Sequence, residues 1–179
     1  MGAHPKAKDK RSRMDLELFV LALVSRGVAT PYSLKAFADI SIGGSVPALN
    51  RLENAGYLKK GISGARNRQE YVITRKGEAH VENSWKAVFQ APPTRDLEVV
   101  LRTASLALLM GEPKGSVANY LSRAAGFVKA KKPAATLPTR DGETPGAMFV
   151  WMRRIATSER GEADARTLRQ LARELGRLQ

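Results

Sequence analysis

The spacing of apolar residues changes from a helical to a strand-like period within the first half of the chain, and this change limits the fold more than any other feature. Apolar residues recur at helical spacing over 15–26 and again over 46–55. Between these segments, Thr30 and Pro31 are typical of an N-cap followed by proline at the first helical position, which predicts a short second helix to about residue 39. The chain is therefore expected to begin with three helices.

Two short segments with strand character follow the third helix. Residues 70–74 are rich in β-branched and aromatic side chains, and 57–60 are predicted to form the opposing strand. The intervening loop, 62–68, contains glycine and arginine. Thr74 then caps a helix over 75–89, whose apolar residues fall on one face. The pattern predicts a two-stranded ribbon between helices.

The pair Pro92-Pro93 marks the clearest boundary in the chain. Beyond it, helical spacing is the only regular pattern, and a proline-containing segment over 131–146 predicts a loop. Four further helices are predicted, at about 97–108, 117–128, 148–155 and 168–178. The chain thus divides into a flexible basic arm (1–13), a first domain (14–90) and an all-helical C-terminal domain (91–179).

Three helices followed by a two-stranded ribbon is the element order of a winged helix-turn-helix domain. In such a domain the exposed face of the third helix enters the major groove of DNA, and the loop of the ribbon contacts the backbone or the minor groove. Residues 41–44 predict a tight break before this helix, and Pro47 is expected near its first turn. The expected fold class is mainly α with a small β-ribbon, a winged helix-turn-helix domain followed by an all-helical C-terminal domain.

Charge indicates the kind of partner. The 179 residues contain 30 Lys and Arg against 17 Asp and Glu, which gives a net charge of +13. Basic residues outnumber acidic ones in the arm, in the first domain and in the C-terminal domain. Such a balance points to a polyanionic partner, and double-stranded DNA is the expected one.

Other function classes are disfavoured by the residue types present. The chain has no cysteine and only two histidines, which disfavours disulfides and protein-bound transition metals, and no cofactor is expected. No phosphate-binding glycine loop, nucleophile elbow or metal-ligand spacing occurs, so an enzyme is not expected. No apolar run is long enough to span a membrane and no secretory signal is readable, so we expect a cytoplasmic protein.

One part of the first domain resembles a known family. Residues 41–58, SIGGSVPALNRLENAGYL, resemble the DNA-recognition segment of PadR-like transcriptional regulators, in which Pro-Ala-Leu precedes a basic Arg-Leu-Glu and a glycine. Residues 64–77, GARNRQEYVITRKG, resemble the basic loop, the tyrosine-containing strand and the Thr-x-x-Gly exit of that family. The resemblance covers about residues 15–85.

The resemblance implies a homodimeric, DNA-binding transcriptional regulator, usually a repressor, that dimerises through helices after the winged unit. The chain departs from the family at Ile42, where proline is common, at Val46, where tyrosine is common, and at Ser45, where the family has an apolar residue. The candidate DNA-binding residues are Ser41, Gly44, Ser45, Val46, Pro47, Asn50, Arg51, Arg66, Asn67 and Arg68. A small-molecule effector, if one exists, is expected to bind the C-terminal domain.

Two alternatives remain open. A winged helix can serve as a protein-interaction module, since fold alone does not decide function. The arm and the C-terminal region could instead bind nucleic acid without reading its sequence, which predicts a steep salt dependence. Four arginines form a stripe opposite the leucines of the last predicted helix, which is typical of a solvated face: Arg166, Arg169, Arg173 and Arg177.

Overall fold

The computed structural model describes residues 7–61, 69–128 and 145–177. These residues form seven helices and one two-stranded antiparallel sheet. This confirms the coarse fold class, mainly α with a small β-ribbon. In chain order the elements are α1 (Ala7–Ser25), α2 (Pro31–Ala38), α3 (Ile42–Asn54), β1 (Leu58–Lys60), β2 (Tyr71–Ile73), α4 (Arg75–Gln90), α5 (Leu97–Leu109), α6 (Lys114–Val128) and α7 (Pro145–Arg177).

The chain divides into two compact units. The first comprises Met1–Ala91 and Leu101–Glu112, and the second comprises Pro92–Val100 and Pro113–Gln179. Residues 101–112, which the sequence places in the C-terminal domain, therefore belong to the first unit. Within that unit, Arg26 Nη2 donates a hydrogen bond of 2.8 Å to the carbonyl oxygen of Leu109. Helix α5 contributes residues to both units.

Helix α1 supplies the centre of the first unit, where it packs against α3, α4 and β2. All seven residues from Leu18 to Val24 are buried, because the helix has neighbours on most sides. The helix begins at Ala7, so residues 7–13 of the predicted flexible arm are helical. Residues 1–6 lie outside the described range. No glycine or proline occurs between Ala7 and Asp15, so a helix nucleated by its buried half can extend through these charged residues.

Helix α2 has a side-chain cap at its start and a backbone cap at its end. Thr30 Oγ1 accepts a hydrogen bond of 3.0 Å from the Ser33 amide, and Ser33 Oγ accepts one of 2.9 Å from the Thr30 amide. This reciprocal pair is a capping box. Asp39 ends the helix in the left-handed conformation with φ 51°. Its carboxylate accepts a hydrogen bond from Lys35, and this bond and the charge of Lys35 lower the pKa of Asp39.

Helix α3 begins earlier than the sequence predicts. Ser41 Oγ accepts a hydrogen bond of 3.1 Å from the Gly44 amide, so the predicted break at 41–44 is in fact the capped first turn of the helix. Pro47 lies inside the helix and cannot donate to the carbonyl group of Gly43. The helix continues through this position because one face is buried in the unit. The buried residues of this face are Ser45, Ala48, Leu49 and Leu52.

The two strands pair in antiparallel fashion and form the predicted ribbon. Leu58 lies opposite Ile73, and Lys60 lies opposite Tyr71. Beyond the ladder, the Tyr71 amide donates a hydrogen bond of 2.9 Å to the carbonyl oxygen of Ala29, which ties the ribbon to the segment before α2.

The open end of the ribbon is joined to the first turn of α4. Thr74 Oγ1 donates a hydrogen bond of 2.7 Å to the carbonyl oxygen of Gly56, and the Thr74 amide donates one of 3.0 Å to that of Tyr57. Thr74 Oγ1 also caps α4 by accepting a bond of 3.1 Å from the Gly77 amide. A Cβ atom at Gly77 would overlap the carbonyl oxygen of Tyr57 and come within 2.8 Å of Ile73 Cγ1. Glycine at 77 is therefore what allows this close approach.

In the second unit, α6 packs along α7. The sequence predicts two helices in the α7 region, at 148–155 and 168–178, whereas the structure has one helix over Pro145–Arg177. The segment between the two predictions contains one glycine, Gly161, and no proline, and its alanines, glutamates and arginines favour a helix. Most of the predicted loop at 131–146 lies outside the described residues.

Candidate nucleic-acid interface

Burial of one face of α3 leaves a defined ridge on the opposite side. Gly43, Pro47, Asn50 and Asn54 are all exposed and lie three or four residues apart, which places them on one face. Val46 lies beside them and remains 37% exposed. The ridge offers two primary amides and apolar surface, and none of its members is charged. We call Gly43, Pro47, Asn50 and Asn54 the α3 ridge.

Two of the predicted contact residues, Ser41 and Gly44, lie at the start of the ridge. Ser41 is exposed and its hydroxyl group caps the helix by accepting from the Gly44 amide, while Gly44 is partly exposed. Ile42, which was not among the predicted contacts, lies between them in the first turn and is 44% exposed. Hydroxyl and backbone groups in this position at a helix N-terminus suit contact with a phosphate.

Ser45 has no surface to offer a ligand. Its side chain is fully buried, and Oγ donates a hydrogen bond of 3.3 Å to the carbonyl oxygen of Ile42. The prediction that Ser45 contacts DNA is therefore wrong. Ser45 lies four residues before Leu49, on the face that packs into the unit.

Arg51 is held by an ion pair across two helices. Its Nε donates a hydrogen bond of 2.6 Å to Oε1 of Glu17 on α1. The arginine side chain is 41% exposed and the glutamate side chain is 25% exposed, so the pair lies at the surface beside the α3 ridge. The only cation on the exposed part of α3 is thus matched by a carboxylate from a neighbouring helix.

The ribbon brings further positive charge after α3. Lys59 is exposed on β1, and Lys60 Nζ lies 3.2 Å from Oε1 of Glu53 on α3. The three residues predicted for the tip of the ribbon, Arg66, Asn67 and Arg68, lie outside the described residues.

Two aromatic side chains on α2 are also exposed. Phe37 is 79% exposed and Tyr32 is 64% exposed. Single exposed apolar residues are normal on protein surfaces. Phe37 is nevertheless the most exposed large apolar residue among those described.

Two residues of the ridge, Gly43 and Asn54, are absent from the contacts predicted from the sequence. Asn54 follows Asn50 by four residues, and that spacing was the signal that could have placed the two amides on one face.

The described residues contain no cluster of three or more histidine, cysteine, aspartate or glutamate side chains suited to a metal ion. None of the described helices has the length and apolar character needed to cross a bilayer.

Comparison with protein-family models, with curated proteins and with solved structures found no match to this chain. The resemblance to PadR-like regulators therefore depends on the residues that carry it.

Proposed function

We propose that this protein is a DNA-binding transcriptional regulator whose first unit is a winged helix that inserts α3 into the major groove of duplex DNA. One observation carries the proposal. The buried face of α3 is locked into the unit, and the opposite ridge presents two asparagines and apolar surface without any charge. Such a ridge matches the base edges of DNA better than it matches phosphates.

The chemistry of the ridge favours A·T base pairs. Asparagine can make paired hydrogen bonds to adenine, and apolar side chains contact the methyl group of thymine, whereas guanine is read mostly by arginine and lysine. Asn50 and Asn54 supply the amides, and Pro47 and Val46 supply the apolar surface. Arg51, the one cation on α3, is already paired with Glu17.

Affinity in this proposal comes mainly from the basic residues around the helix. Lys59 is exposed on the ribbon, and Arg66 and Arg68 fall between its two strands in the sequence. Contacts to phosphates position a protein on the duplex and contribute much of its binding free energy, while base contacts select the sequence.

We propose that the protein acts as a homodimer and represses transcription. This follows from the resemblance to PadR-like regulators, most of which are repressors. A dimer places two copies of α3 against half-sites about one helical turn apart.

Selection from random duplex DNA at about 0.15 M salt tests this function, because exposed charges are well screened at that ionic strength. We expect enrichment of an inverted repeat with half-sites about one helical turn apart. Retention of DNA without enrichment would mean that charge alone drives binding. No retention would favour a protein-interaction module, for which the exposed Phe37 is the supporting observation.

Removing the two arginines that fall between the strands in the sequence should weaken binding to every duplex. We expect Arg66→Ala with Arg68→Ala to flatten the dependence of log affinity on log salt by about 2 units, because two phosphate contacts are lost. Fluorescence anisotropy with operator and scrambled duplexes, over a range of salt concentrations, measures this slope. The control is Lys86→Ala with Arg95→Ala, which removes two exposed cations elsewhere. If the two double variants have equal slopes, the ribbon does not contact DNA.

Releasing Arg51 from its partner should have the opposite effect. In Glu17→Gln the guanidinium loses its carboxylate, so we expect two- to fivefold tighter binding to any duplex, about the strength of a surface ion pair. Because the released charge attracts any duplex, the ratio of the affinity for the operator to the affinity for a scrambled duplex should fall or stay constant. Glu82→Gln is the matched control, since Glu82 is exposed on α4. Weaker binding by Glu17→Gln would show that the pair positions Arg51 for DNA rather than withholding it.

A further inference from the structure

A second charged surface lies on α7, outside the proposed DNA-reading site. Arg166, Arg169, Arg173 and Arg177 are all exposed and follow one another at intervals of three or four residues. They therefore share one side of the helix over about 16 Å of its length. We call these four residues the arginine stripe.

The opposite face of α7 fixes how the arginine stripe is presented. Ala165, Leu168 and Ala172 are buried, and α6 packs along this helix. Because the opposite face of α7 is buried, the four arginines of the stripe face solvent. A membrane-binding amphipathic helix needs a broad accessible apolar face, whereas this part of α7 buries Ala165, Leu168 and Ala172 and exposes one large apolar side chain, Leu171.

The four arginines of the stripe are not held in ion pairs within the described part of the chain. Among the described residues, no carboxylate forms an ion pair with any of its four members. Glu174, the acidic residue inside this segment, accepts a hydrogen bond of 3.0 Å from Gln170 instead. Like charges three and four residues apart destabilise a helix, and attraction to the helix C-terminus extends only over the last turn, which contains Arg177. Neither effect favours placing Arg166, Arg169 and Arg173 on one side of the helix.

The choice of arginine indicates the chemistry of the ligand. Every basic residue after Lys132 is an arginine, although lysine has nearly the same helix propensity. The planar guanidinium group makes paired hydrogen bonds to oxyanions, which lysine cannot make. The stripe contains no apolar side chain, whereas the centre of a protein–protein interface is apolar. A regularly spaced polymer of phosphates fits these features.

We propose that the arginine stripe is a second nucleic-acid-binding surface, which holds the phosphate backbone of a duplex without reading its sequence. This goes beyond the proposed function, because it assigns a binding role to the second unit and does not depend on α3. It also accounts for positive charge that extends well past the first unit.

The test uses the full chain and a duplex of random sequence, about three helical turns long. Arg→Gln at all four positions should reduce the slope of log affinity against log salt by about 3 to 4 units, since each phosphate contact contributes about 0.9. The matched control is Lys86→Gln, Arg95→Gln, Arg123→Gln and Arg160→Gln, which removes the same charge from exposed positions off the stripe. The control should change the slope by less than about 1 unit. Arg→Lys at the four stripe positions should retain most of the slope.

The outcomes separate this proposal from its rivals. Equal slopes for the stripe and control variants would overturn it, because net charge alone would then explain binding. Failure of the native chain to bind the random duplex would also overturn it. So would a preference of the native chain for polyglutamate or anionic vesicles over DNA that is lost in the stripe variant. If selection enriches an operator but the stripe variant retains its slope, the proposed function stands and this inference fails. Far-ultraviolet circular dichroism confirms that the variants remain folded.

Discussion

Gly77→Ala is expected to destabilise the protein by about 2–3 kcal/mol, the usual cost of forcing extra volume into a packed site. The added Cβ has no space, because the carbonyl oxygen of Tyr57 and the side chain of Ile73 already occupy it. Relief would require the first turn of α4 to move away from the ribbon, and this would weaken the hydrogen bonds of Thr74 to Gly56 and Tyr57. Urea unfolding followed by circular dichroism measures the loss.

Gly43→Ala provides the matched control for Gly77→Ala. A Cβ at 43 meets no atom within 4 Å, and the position lies in the exposed first turn of α3. Alanine there should raise the free energy of unfolding by about 0.5–1 kcal/mol, because it reduces the conformational freedom of the unfolded chain. Equal effects of the two substitutions would contradict the proposed close packing of α4 against the ribbon. Loss of DNA affinity by the more stable Gly43→Ala would also support close approach of DNA to the α3 ridge.

Asn50→Ala should weaken binding to the selected operator about 10- to 100-fold, the range expected for loss of one paired contact to a base. The substitution replaces one uncharged side chain by another. The affinity for scrambled DNA and the dependence of log affinity on log salt should therefore not change. The position is exposed on a helix, so folding should be little affected. Anisotropy titrations with both duplexes give these quantities.

Asn83→Ala is the control for Asn50→Ala, since Asn83 is exposed on α4 and lies off the α3 ridge. It should leave both affinities unchanged. If Asn50→Ala weakens operator and scrambled binding by the same factor, then α3 does not read bases at this position. If it weakens neither, the α3 ridge faces away from the DNA.

Much of the first unit could be predicted because its signals are local. Thr30-Pro31 marks the start of α2, and the β-branched residues around Val72 mark the returning strand. The start of α3 was missed because Gly43 and Gly44 resemble a break. In the structure Ser41 caps the turn, and the buried face of the helix outweighs the low helix propensity of the glycines.

The site could be predicted only in part. Ser45 lies four residues before Leu49 and seven before Leu52, so the helical period alone could have placed it in the core. The ion pair between Arg51 and Glu17 joins residues 34 positions apart, and no sequence pattern indicates which side chains of two packed helices will meet. The α7 helix was split in the prediction because its apolar period is interrupted, although no residue in the interruption stops a helix.

The central claim is that α3 reads the sequence of duplex DNA. Its most direct test is the ratio of dissociation constants of the full chain for the selected operator and for a scrambled duplex of the same composition, at about 0.15 M salt. We predict a ratio of about 1,000-fold or more, the range of sequence-specific DNA-binding proteins. A ratio below about tenfold, with a steep salt dependence for both duplexes, would contradict the account and leave electrostatic attraction as the whole of the interaction.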